Sequence, residues 1–481
     1  MNKKLSFGMP SNLSNQHDSW SKISSIAMMI GTLGISLSGC QNISPKKPMI
    51  QANIAETFNH QVNARSIATQ GYREFLSDPR LVQVIEFALS NNRDLRTVTL
   101  NIQRAQQQYQ ITQNNQLPVI GANANMTRQV SVSNPNNPSS TFQVGLGITA
   151  YELDFWGRIR HLKGAALDRY LATQSARDAM QISLISQVSQ AWLDYAFASA
   201  HLKLTQQTLK TQLDAYQLNQ KRFSTGIESE LPLRQSEISV ETARHDAARY
   251  QTQIAQAQNL LNLLVGQQLP IHLLAQQPIK TMTARDIFGT GLPSDLLNNR
   301  PDLKLAEYQL QETGANIAVA KAALFPSISL TGSTGYASTK LSDLFKSGHA
   351  VWSIGPSLDL PIFDWGTRQT NLKISKIEQQ IALSNYEKSI QSAFREVNDT
   401  LATRANMDQR MIAQRRLVDA SRATYQLSMA RFRTGIDSYL SVLDAQRSAY
   451  AAEQALLLLE QAQLNNQIEL YKVLGGGSAR S

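Results

Sequence analysis

Apolar residues along this chain fall into two alternating patterns, and the patterns come in the same order twice. Over 80–116 they step by three and four (Leu81, Val84, Ile85, Ala88, Leu95), which predicts a helix ended by Pro118. Over 119–132 the period changes to two. Ile120, Ala122, Ala124, Met126, Val130 and Val132 share one side, and Gly121, Asn123, Asn125, Thr127, Gln129 and Ser131 share the other, which predicts a strand. The segment 133–140, SNPNNPSS, reads as a turn-rich loop, and a second strand over 141–153 follows it. A helical pattern then runs from about 157 to 224 without a proline and resumes over 228–266.

The second half repeats the plan. A helix is predicted over 297–324, strands over 327–336 and 350–362 with a loop at 337–349 between them, a proline-free helical run over 366–433, and a last helix over 437–475. Each long run would reach roughly 100 Å at 1.5 Å per residue, and the paired shorter helices would match it end to end. Sustained three-four spacing favours coiled-coil-like packing.

The duplication is visible in the letters. RFSTGIESEL at 222–231 and RFRTGIDSYL at 431–440 are 209 positions apart, as are Phe155-Trp156-Gly157 and Asp364-Trp365-Gly366. Pro118 and Pro326 are 208 apart, as are Asp94 and Asp302. Solenoid repeats are far shorter, so this is a duplicated half-protein. The chain divides into 1–39, 40–80, a first repeat at 81–266, a linker at 267–296, a second repeat at 297–475 and a tail at 476–481. The linker, residues 41–79 and the C-terminal tail are expected to form a smaller collar around the helices.

The strands are about ten residues long with one apolar and one polar face, the pattern of outer-membrane barrel strands. Four strands cannot close a barrel, and an open edge cannot persist in hydrocarbon. Several copies must therefore pool their strands, and three copies give twelve. The predicted fold class is mainly α with a membrane β-barrel: long helices forming a trimeric α-barrel, and four strands per subunit completing a 12-stranded β-barrel.

Composition narrows the classes. Of 481 residues only 17% are charged, with a net charge of +10 and no basic block, so no nucleic-acid partner is expected. Lys3, Lys4 and Lys22 precede an apolar run at 26–37, too short to span a membrane, which ends in Leu37-Ser38-Gly39-Cys40. This reads as a secretory signal. Cys40 is the only cysteine, so no internal disulfide can form. LSGC resembles a bacterial lipobox, and that resemblance implies acylation of Cys40, with Gln41 after it directing the chain to the outer membrane.

Catalytic and cofactor patterns are missing. The seven histidines make no i,i+3 or i,i+4 pair, and there is no HExxH, GxSxG or cysteine-rich metal motif. Gly145, Gly147 and Ala150 fit GxGxxA but lie inside an alternating strand, and Ser44 to Lys47 fits SxxK only within a linker. No enzyme, cofactor or metal is expected.

LSGC, the paired RF-x-TGI-x-S-x-L turns, Asn-Arg-Pro-Asp-Leu (299–303), Ala-Leu-Phe-Pro-Ser (323–327) and Leu-Asp-Ala-Gln-Arg-Ser (443–448) resemble the TolC-type outer membrane factors. They are most similar to the lipoprotein branch that serves tripartite RND-type drug-efflux systems. The resemblance implies a homotrimer in outer-membrane lipid that docks to a periplasmic adaptor bound to an inner-membrane pump. It also implies a passive duct. The repeated phrases become tips of helical hairpins, with Thr225, Gly226, Ile227, Thr434, Gly435 and Ile436 meeting the adaptor. Arg431, Phe432, Leu440 and Asp444 become the periplasmic gate: Asp444 carboxylates repelling around one axis, Leu440 forming a dry ring, Arg431 clamping neighbouring hairpins. The family often has tyrosine at the position of Phe432. The first copy has Gln235 where Asp444 would fall, which assigns the gate to the second copy. Two rivals stand beside this reading: the exit duct of a type I protein-secretion system, and a periplasmic adaptor or scaffold lipoprotein.

Overall fold

The computed structural model describes residues 70–131, 134–275, 277–282 and 293–477. Cys40, the signal segment and most of the expected collar lie outside the described residues. All described residues belong to one unit, Pro45–Ser481.

The first copy contains α1 (Tyr72–Phe75), α2 (Pro79–Asn91), α3 (Arg93–Asn114), β1 (Ile120–Ser131), β2 (Asn134–Glu152), α4 (Arg158–Ser224) and α5 (Glu230–Val265). The second contains α6 (Pro293–Asn299), α7 (Pro301–Ala322), β3 (Ser327–Ser338), β4 (Ala350–Asp359), α8 (Thr367–Ala405), α9 (Met407–Arg433) and α10 (Tyr439–Val473). The spine is α4, a 67-residue helix of about 100 Å. It carries α3 and α7 towards its first end, α5 towards its last, and α10 along its side.

Four sequence expectations are corrected. The helix expected over 80–116 is broken at Asn92, whose backbone leaves the helical angles at φ −59°, ψ 130°. Its carboxamide oxygen accepts from Leu95 N at 2.8 Å and its nitrogen donates to the Leu264 carbonyl at 2.8 Å, so the side chain both caps α3 and ties it to α5. The helix expected over 297–324 is likewise two, and begins earlier, at Pro293. At the break Arg300 donates to the Val473 carbonyl at 3.0 Å and pairs with Asp302 and Glu396. The loop expected at 133–140 is largely strand, because β2 begins at Asn134. Regular pairing ends at Gln129 opposite Ser139 and is followed by Ser131 opposite Asn134. Pro135 and Pro138 fall between these pairs, where no ladder bond is required of them. Finally, the run expected over 366–433 is not one helix. It breaks at Asn406.

The four strands form one antiparallel sheet in the order β1-β2-β3-β4. Its register puts like with like. Met126 faces Phe142, Ala124 faces Val144, which faces Tyr336, and Ile148 and Ile354 flank Gly332 on the same side. On the other side Ser329 bonds Ser357 at 2.7 Å and Ser333 bonds Ser353 at 2.8 Å, a polar ladder on a surface made mostly of hydroxyls, amides and glycines. Gly145 lies opposite Gly335, and a Cβ on Gly335 would fall on the Val144 carbonyl oxygen. The polar face is thus kept thin where β2 and β3 approach most closely. Both outer strands keep an unpaired edge.

The main core lies where the two repeats meet. Trp192 of α4 is fully buried and donates to the Leu273 carbonyl at 2.9 Å. Around it pack Val84, Ile85, Leu261, Leu269, Leu464 and Tyr471, drawn from α2, α5, the inter-repeat linker and α10. Burying side chains of this size contributes about 1.5–3 kcal/mol each, so this waist anchors helices that are polar along much of their remaining length.

Candidate gate at the hairpin tips

The repeated phrases are the turns between α4 and α5 and between α9 and α10. Both use one backbone solution. Ile227 N donates to the Arg222 carbonyl at 3.0 Å and Gly226 N to Phe223 at 3.0 Å; Ile436 N donates to Arg431 at 2.9 Å and Gly435 N to Phe432 at 3.0 Å. Gly226 and Gly435 sit at φ 69° and 77°, the left-handed position that a Cβ disfavours and that this helix ending requires. The hydroxyls of Thr225 and Thr434 then accept no role in the ladder but donate to carbonyls of the preceding turn. Ser229 and Ser438 restart the chain in an extended conformation. The Thr-Gly-Ile spacing is therefore a stop signal written twice. It leaves Ile227 and Ile436 at 75% and 64% exposure.

Each tip is closed by an arginine and an acid six residues on. Arg222 Nη1 lies 3.5 Å from Glu228 Oε2. Arg431 grips Asp437 with two bonds, Nε to Oδ2 at 2.7 Å and Nη2 to Oδ1 at 3.0 Å. The Arg431 guanidinium holds the Asp437 carboxyl below the usual carboxylate range. Arg431 was expected to clamp a neighbouring hairpin, and in this chain its fork is committed to its own tip. The reason is geometric: the turn brings residues 431 and 437 face to face, and the planar guanidinium matches a carboxylate.

Phe432 is also placed differently from the expectation. It is 2% exposed and packs with Ala215, Tyr439, Val442 and Leu443 in a small core of its own. The Arg222 guanidinium lies over its ring at 4.5 Å. Phe432 therefore joins the two hairpins within one chain. Leu440 and Asp444 are surface groups. They stand one helical turn apart on α10, both exposed, Leu440 at 58%, on the side away from Val442 and Leu443. In the first copy Leu231 is exposed and Gln235 half-buried.

Tyr439 escaped the sequence reading. It is 1% exposed, its ring 5.6 Å from Phe432, and its hydroxyl has no partner. Burial pushes the phenol up to about 12. Tyr439 lies three and four residues before Val442 and Leu443 on the apolar side of α10, but the turn at 434–438 separates it from Phe432, so no periodicity joins the two rings. Among the described residues no cluster of His, Cys, Asp and Glu is arranged to hold a metal ion, and no helix is long and apolar enough to cross a membrane.

The family model described as outer membrane efflux protein matches residues 84–267 and 292–476, one match per repeat. The chain is 41% identical over 455 residues to the solvent efflux pump outer membrane protein SrpC of Pseudomonas putida, covering 92% of this chain and 96% of that one. It is 35% identical to the probable outer membrane lipoprotein SilC of Salmonella typhimurium, covering 94% and 98%. Among solved structures, the open state of the MtrE outer membrane channel of Neisseria gonorrhoeae superposes with a TM-score of 0.84 at 39% identity, covering 90% of this chain and 98% of that one. With both repeats matched and the architecture shared, this chain belongs to the outer membrane efflux protein family and is a TolC-type efflux channel of the outer membrane.

Proposed function

We propose that this chain works as a homotrimer, lipid-anchored through Cys40, forming the passive exit duct of a tripartite pump. The single observation that carries the reading is the four-stranded sheet with two free edges. A sheet apolar on one face and polar on the other is stable in a bilayer only when its edges are paired, and here the partners must be β1 and β4 of other copies. The long helices that leave the sheet then continue the same wall into the periplasm.

The exposed Ile227 and Ile436 at the tips fit docking to a periplasmic adaptor held by an inner-membrane pump, an RND-type pump by resemblance. Leu440 and Asp444 fit a constriction near the axis. Three Asp444 carboxylates would repel one another and draw cations, and three Leu440 side chains would exclude water. Arg431 contributes by bracing the tip that carries them. SrpC is named a solvent efflux protein, and by that likeness the cargo is small, largely apolar organic compounds. The protein adds no chemistry to its cargo and takes its energy from the pump.

The test is to delete the gene and measure tolerance to solvents and amphipathic drugs alongside secretion of protein substrates. Loss of tolerance with secretion intact supports the reading, and the reverse result supports a secretion duct. Outer-membrane extracts should contain a trimer that heating converts to monomer; a lone subunit would refute the assembly.

A further inference from the structure

The duplicated halves differ at one backbone position that the repeat makes directly comparable. With the 209-residue offset, Asn406 stands where the first copy has Phe197. Phe197 is buried in the main core, and α4 runs through it without interruption. At Asn406 the helix stops: the residue sits at φ −103°, ψ 1°, its N–H points to the Arg404 carbonyl, and α9 starts again at Met407 with no side-chain cap.

The packing is divided at the same level. Above the break, Val397 and Leu401 of α8 belong to the main core with Leu464 and Ile468 of α10. Below it, Met407, Met411 and Leu459 form a separate small cluster. Methionine is the side chain that repacks most readily. A cleft of about 490 Å³ flanks the break, lined from α8 and α9 by Arg404, Ala405 and Asp408, and from α10 by Gln463 and Gln467. Below the break α9 is tied to α10 by Gln414 donating to the Ala452 carbonyl and by an Arg422–Glu453 pair. The hairpin is therefore held together internally, while one of its two legs is discontinuous where it joins the waist.

We propose that Asn406 is the hinge of the candidate gate: α9 pivots there while α10 bends, so the hairpin bearing Leu440 and Asp444 swings as a unit relative to the α4–α5 hairpin. This inference rests on the gate reading above, and it names the residue that sets the motion. A continuous helix of this length bends only gently, whereas sharp changes of direction need an identifiable break. Asparagine favours such a break because its side chain competes with the helical ladder for backbone groups. Asn406 is exposed, so replacing it disturbs no core.

The experiment compares Asn406→Ala with Asn406→Gly in the full-length trimer. In planar bilayers, on an Arg431→Ala background, the alanine variant should show an open probability at least about fivefold below the glycine variant, the helix propensities of the two residues setting about fivefold for each subunit. Equal open probabilities would overturn the hinge. If Arg431→Ala itself fails to raise conductance, the gate reading has failed, and the hinge is judged by amide hydrogen exchange alone. Residues 406–410 should exchange faster than residues 197–201, and Asn406→Ala should slow them. Equal exchange in the two copies, or no slowing in the alanine variant, would overturn it.

Discussion

The guanidinium of Arg222, from the first copy, lies 4.5 Å above the ring of Phe432, from the second. This contact joins the two hairpins at their tips. Arg222 also faces Glu228, so its charge is satisfied on one side by an acid and on the other by a π-face. An internal duplication has here been used asymmetrically: equivalent residues of the two copies, Arg222 and Arg431, do different work.

Arg222→Leu should loosen the α9–α10 hairpin from the α4–α5 hairpin. A cation–π contact of this kind contributes about 0.5–2 kcal/mol. The expected result is a higher resting conductance in planar bilayers and faster protease cleavage at the tips. Arg222→Lys should lie between the two, since the ammonium keeps the charge and loses the flat stacking surface. Cleavage equal to wild type in the leucine variant would show that the contact holds nothing.

Arg431→Ala and Asp444→Ala should each raise single-channel conductance, the first by freeing the tip from Asp437 and the second by removing the ring of carboxylates. Unchanged conductance in both would refute the gate assignment. The pairing also sets a pH dependence. The folded Asp437 carboxyl titrates below its unfolded value, so its contribution is complete above the unfolded value and is lost as pH falls through the folded one. Resting conductance should therefore be steady from neutral pH down to the ordinary carboxylate range and rise below it. Asp437→Asn should start high, and the rise with acid should shrink to the part that comes from discharging the Asp444 ring.

Tyr439→Phe removes a buried hydroxyl that has no partner and keeps the ring against Phe432. Leaving such a group unmade costs about 1–3 kcal/mol, so the variant should be as stable as wild type or more so. The measurement is the temperature at which the trimer dissociates. A lower temperature in the phenylalanine variant would mean that the hydroxyl is bonded in the assembled protein.

Gly335→Val should abolish assembly in the outer membrane. Its side chain would start on the Val144 carbonyl oxygen, in the middle of the β2–β3 ladder. The expected readout is loss of the heat-sensitive trimer from outer-membrane fractions. Gly355→Val, on the same face where an added Cβ meets nothing within 4 Å, should leave the trimer in place, which separates a steric clash from the loss of a polar-face glycine.

Much of this protein was written in the letters. The change of period from 3.6 to 2 located all four strands, and the RF-x-TGI-x-S-x-L phrase located both tips, because a helix ending in a left-handed glycine needs that spacing and little else. Local signals of this sort act through neighbouring residues and survive without the fold. What tertiary structure decided was every case in which a distant group competed for the same atoms. Asn92 and Arg300 break helices that the apolar pattern would have continued, since each side chain finds a carbonyl about 172 residues away in the other arm of its repeat. Phe432 and Tyr439 went inward because α4 supplies Ala215 and Arg222 as neighbours, and no periodicity within 431–444 records that. Asn406 carries no proline or glycine to announce a break; only the packed core above it and the separate methionine cluster below it reveal where the helix yields.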